Sequence, residues 1–147
     1  MSQKTKSSFE KISVPAPVKL SLLWASLMAL YIYNDYFLLF IPGTIQGMSA
    51  GSMGPLGEVT DIKLLVVASI LALPASMIFL SSILPSGASR GLNLIIGPVY
   101  VVIAGLTFFM SPYPFFKFIV SVEIVATLLI IWIAVRWPRH AACAADS

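Results

Sequence analysis

The sequence predicts an all-α polytopic membrane protein, an antiparallel bundle of four transmembrane helices with both termini in the cytoplasm. Three observations carry that expectation. Of the 147 residues, 59% are hydrophobic and only 10% charged, with a mean hydropathy of +0.95; soluble domains carry roughly a quarter charged residues. The apolar residues gather into four segments of about 20–24 residues, and about 20 at 1.5 Å each cross a ~30 Å hydrocarbon layer. Lysine and arginine, finally, fall unevenly between the two sides of those segments.

The chain divides into a polar segment over 1–17, a transmembrane unit over 18–138 and a short tail over 139–147. The first span, about 18–41, lies between Pro17 and Pro42-Gly43. Its apolar run exceeds the 7–15 residues usual for a signal-peptide core, so a retained span is expected. The second, about 63–84, stops at Pro85-Ser86-Gly87, and the third, about 91–110, stops at Ser111-Pro112. The fourth, about 115–137, ends at Arg136-Trp137-Pro138. Backbone groups in lipid must pair within their own segment, which makes these helices. A spanning barrel would show alternating segments of about ten residues, a pattern foreign to this chain.

An inside N-terminus places Lys4, Lys6, Lys11, Lys19, Arg90, Arg136 and Arg139 in the cytoplasm and only Lys63 and Lys117 outside. The positive-inside rule favours that arrangement. The first outer loop, PGTIQGMSAGSMGPLGEVTD, has five glycines and two prolines and reads as a turn-rich connector. Cys143 is the single cysteine and His140 the single histidine. No disulfide within the chain, zinc site or bis-histidine haem site is therefore expected, and no cofactor is implied. The scattered basic residues argue against nucleic-acid binding.

Small residues four apart mark the expected contact faces: Ser21, Ala25 and Ala29 in the first span, Ala68, Ala72 and Ser76 in the second, Gly97 and Gly105 in the third. Two prolines lie inside spans. Pro74 leaves the carbonyl of Ile70 without its helical donor, and Pro98 does the same to Leu94. Kinks at those two positions could open a cavity between neighbouring helices.

Two carboxylates lie within apolar runs, Asp35 in YIYNDYFLLF and Glu123 in FIVSVEIVATLLIIW. An Asp at a helix centre costs about 2.5–3.5 kcal/mol on insertion scales. Counted from the flanking prolines, Asp35 is about 10 Å and Glu123 about 13–14 Å from the outer surface. If the first and fourth spans are neighbours, the two acids can share a polar pocket. Tyr31 and Asn34 lie beside Asp35, and Thr127 follows Glu123 by four residues. No basic residue lies in either segment at that depth, so at least one carboxyl is expected to hold its proton at neutral pH. These five residues, Tyr31, Asn34, Asp35, Glu123 and Thr127, are the candidate ligand- or proton-binding set, with Pro74 and Pro98 as candidate kinks.

The run LWASLMALYIYNDYFLLFIPGTIQG, the following GSMGPLG and then LPASMIFLSSILP resemble a family of small bacterial four-span proteins known only as a domain of unknown function. The resemblance covers about residues 18–138 and implies no activity. A looser architectural likeness is to the DoxX-like four-helix membrane proteins. The favoured reading is a non-enzymatic membrane protein that binds or transports a small cationic or protonatable ligand at Asp35 and Glu123. The alternative is a structural or accessory subunit of a larger membrane complex. Beyond the bilayer, a homo-oligomer or such a complex would be the partner.

Overall fold

The computed structural model describes residues 14–137. The expectations resting on Lys4, Lys6, Lys11, Arg139, His140 and Cys143 lie outside them. Within the described residues the chain is all-helical: α1 Ala16–Leu38, α2 Thr44–Ser49, α3 Asp61–Ile83, α4 Ser86–Met110 and α5 Pro114–Arg136. Four of the five, α1, α3, α4 and α5, are long and apolar enough to cross a membrane. This is a multi-pass membrane protein.

The helix bounds differ from the expected ones where local chemistry intervenes. α1 stops at Leu38 rather than near 41 because Pro42 disfavours helical backbone in the residue before it. The chain tightens first, with Phe40 N–H donating to Phe37 O and Ile41 N–H to Leu38 O, and Gly43 then turns it at a φ of 89°. α3 starts two residues early because the Thr60 side chain accepts from Lys63 N–H at 3.3 Å and caps its first turn. α4 gains a full turn at its start, since Pro85 precedes its first residue and Ser86-Gly87 enter the helix.

The outer loop is more ordered than a plain connector. It forms α2, a 3₁₀ turn at Gly54–Leu56 and an isolated bridge between Ser52 and Glu58. Lys63 closes it, its Nζ donating to Leu56 O at 2.8 Å and Glu58 O at 2.9 Å.

Around the bundle the order is α1, α3, α4, α5, with α1 and α5 packed side by side and α4 against α5. The end where α1 starts and α5 finishes is called the base below; the other is the α2 end. Gly97 allows the close approach of α4 to α5, for a Cβ there would lie 2.7 Å from Ile131 Cγ1. Gly105, expected on the same contact face, meets nothing within 4 Å. On α3 the expected face is turned away. Ala68 and Ala72 are exposed, and the buried residues are Pro74, Met77 and Ser81, which lie on the opposite side of a helix with 3.6 residues per turn. α1 reaches α3 through Ser21, whose hydroxyl donates to Ile78 O, while Ala29 faces outward.

The core lies towards the base. Leu20, Trp24, Leu27, Met77, Ile96, Tyr100, Ala126 and Ile130 form one cluster, and Trp24 meets Tyr100 edge-on at 5.8 Å. A buried polar chain crosses it. Trp24 Nε1 donates to Asn93 Oδ1 at 2.7 Å, and Asn93 Nδ2 donates to Ser89 O at 2.8 Å and Ser81 Oγ at 3.3 Å. Ser89 Oγ completes it by donating to Ser81 O at 2.9 Å. At the rim of the base, Arg90 donates to Ala134 O and Val135 O, carbonyls that the end of α5 leaves free.

Candidate functional site

Above the core, towards the α2 end, the four long helices enclose a cavity of about 160 Å³. α1 contributes Tyr31, Asn34 and Asp35; α3 contributes Ile70 and Leu71; α4 contributes Tyr100, Ile103, Ala104 and Thr107; α5 contributes Phe116 and Glu123. A cavity of roughly 150 Å³ accommodates a molecule the size of benzene.

Asp35 and Glu123 therefore meet at one site, as the packing of α1 on α5 requires. They do not lie at one level within it. Because α1 ends at Leu38, Asp35 is about 4.5 Å from its helix end, while Glu123 is about 13.5 Å from the start of α5. Asp35 is exposed and Glu123 is 3% exposed, which puts the first at the rim and the second at the floor.

Two oxygens at the site are buried with no hydrogen-bond partner among the described residues, Asn34 Oδ1 and Glu123 Oε1. Buried polar atoms are normally paired, and leaving one unpaired costs about 1–3 kcal/mol. No lysine or arginine lines the cavity. The site is thus rich in oxygen acceptors and carries the aromatic rings of Tyr31, Tyr100 and Phe116 in its wall.

The other candidates separate. Tyr31 lines the cavity, its ring 6.5 Å from that of Tyr100. Thr127 is buried but does not line the cavity, because its hydroxyl donates at 2.7 Å to the backbone carbonyl of Glu123 one turn back. Tyr36, Phe37 and Phe40 form an outward aromatic cluster that continues to Phe115, as aromatic belts at a membrane surface do.

The two prolines play unequal parts. Pro98 is exposed and is not among the residues that line this cavity. Pro74 is buried, and the Ile70 carbonyl it frees receives the Tyr100 hydroxyl. Both atoms belong to cavity-lining residues, so Pro74 helps shape the wall while Tyr100 satisfies it. Sequence reasoning missed Tyr100. The available signal was the orphaned carbonyl itself, which demands a donor at its own depth on a neighbouring helix. It missed Asn93 as well, a polar residue within the third apolar run.

Residues 15–144 match a family of unknown function, DUF6326. The chain belongs to that family. No curated protein and no solved structure matches it. For this DUF6326 member the chemistry has to come from the cavity itself: two carboxyls on different helices, an amide, and the Tyr31 and Tyr100 side chains around a space of molecular size. Groups of three or more His, Cys, Asp or Glu suited to holding a metal are absent among the described residues.

Proposed function

We propose that this DUF6326 protein resides in a bacterial inner membrane with both termini in the cytoplasm, and that its cavity binds a small cationic or protonatable ligand through Asp35 and Glu123. The role is binding, with transport as its extension, and not catalysis. One observation carries it: two carboxyls from separate helices line a single cavity whose lining contains no basic side chain. In membranes such groups usually face a bundle interior and mark ion or substrate paths. The aromatic walls suit an organic cation, which is attracted to ring faces.

The orientation is supported by the arginines and lysines. Lys19, Arg90 and Arg136 lie at the base, and Lys63 and Lys117 lie at the α2 end. The cavity mouth at Asp35 then faces outward from the cell.

Calorimetric titration of benzylammonium into the protein in lipid nanodiscs tests the proposal. The wild type binds, and Asp35→Asn and Glu123→Gln each weaken binding about tenfold or more, in line with the loss of a charged hydrogen-bond acceptor. Equal binding by all three proteins, or none by the wild type, sinks it.

The second reading is a subunit of a larger membrane assembly or a homo-oligomer. It is favoured by the outward face of α3, where Ala68 and Ala72 offer a surface close enough for another helix. A partner of fixed stoichiometry after mild detergent extraction would support it.

A further inference from the structure

A second space lies outside the bundle, against α4 and α5, and it shares no residue with the inner cavity. It is an outward groove of about 320 Å³ lined by Gly105, Phe108, Phe109, Ser121 and Ile124. The two helices are pressed together at Gly97 and Ile131, but above Gly105 no atom approaches within 4 Å of the absent side chain. The missing side chain at 105 leaves the trough open.

Its lining asks for an apolar guest. Ser121 is the one polar side chain there, and its hydroxyl is spent on Lys117 O at 2.7 Å. Phe109 is 84% exposed and stands beside Phe108 edge-on at 5.5 Å. The groove reaches down to Ile124, about 15 Å below the start of α5, whereas Lys117 lies only about 4.5 Å below it. The Lys117 ammonium sits 5.6 Å from the centre of the Phe108 ring, at the upper mouth of the groove. Lys63, the other cation at this end, spends its ammonium on two loop carbonyls.

We propose that this groove binds an anionic phospholipid from the leaflet at the α2 end, with an acyl chain along Phe108, Gly105 and Ile124 and the phosphate on Lys117. The depths match a lipid: charge in the headgroup layer and an apolar trough beneath it. A second copy of the chain is a poorer occupant. Copies in one membrane share an orientation, so a twofold contact through this face would set two Lys117 side chains at the same depth.

Native mass spectrometry of the detergent-extracted protein tests this, with phosphatidylglycerol and phosphatidylethanolamine of identical chains offered in equal amounts. The wild type retains phosphatidylglycerol better by at least about fivefold, the share expected of one lysine near anionic headgroups. Lys117→Gln lowers the preference about fivefold, while Lys63→Gln preserves it; the cations at the base contribute equally to all three proteins. Gly105→Leu and Ser121→Phe, which fill the trough from opposite walls, lower retention of both lipids; thermal melting shows that each variant is folded. Equal retention of the two lipids by the wild type overturns the proposal. So does a preference undiminished by Lys117→Gln or lost in Lys63→Gln, and so does undiminished retention in whichever filled-trough variant folds.

Discussion

At the base of the bundle, Trp24, Ser81, Ser89 and Asn93 hold one another's polar groups; near the α2 end, Asn34 and Glu123 keep buried oxygens unpartnered beside a cavity. Both regions bury an asparagine, at 0% exposure for Asn93 and 6% for Asn34. What differs is the neighbourhood. Asn93 faces a tryptophan, a serine hydroxyl and a backbone carbonyl, while Asn34 faces an opening. A bundle held together only by packing gains nothing from unpaired acceptors, and it is these acceptors in the upper half that the proposed ligand would engage.

The comparison can be broken by treating the two asparagines alike. Asn93→Leu strands the Trp24 N–H and the Ser81 hydroxyl, and should destabilise the protein by about 2–3 kcal/mol in thermal melts in detergent. Gly97→Ala comes next, at about 1–3 kcal/mol, because its Cβ would press on Ile131. Tyr100→Phe leaves the Ile70 carbonyl bare at a cost of about 1 kcal/mol. Pro74→Ala should recover much of that loss by restoring the helical N–H, so the double variant should be more stable than the two single effects added. The smallest effect is expected in the upper half. Asn34→Leu should change stability by less than about 0.5 kcal/mol or raise it, since it removes an unpaired acceptor. If Asn34→Leu proves as harmful as Asn93→Leu, the two halves do not differ and the case for a ligand at the upper one weakens.

The candidate site was partly legible before the fold was known. Asp35 and Glu123 stand out because carboxylates in apolar runs are rare, Tyr31 follows from helical spacing, and Asn34 is a second polar residue beside Asp35 in the same apolar run. Thr127 follows from the same spacing, yet its hydroxyl turns back on its own helix. Helical period places a side chain on a face but does not choose between a neighbour and the carbonyl one turn below. The small-residue stripes show the same limit. Gly97 meets α5, whereas Ala68 and Ala72 face outward, because alanine is a good helix former whether or not another helix lies against it.

By itself the sequence determined the number of spans, their approximate bounds and the presence of two acids among them. Those are properties of single segments, set by length, hydropathy and proline position against a bilayer of known thickness. Only the tertiary structure decided that α1 packs on α5, that Asp35 sits at a rim and Glu123 on a floor, and that Tyr100 answers the carbonyl freed by Pro74. These depend on helix rotation and pairing. Small differences in close packing settle both, because lipid is as apolar as the side chains and gives little hydrophobic guidance.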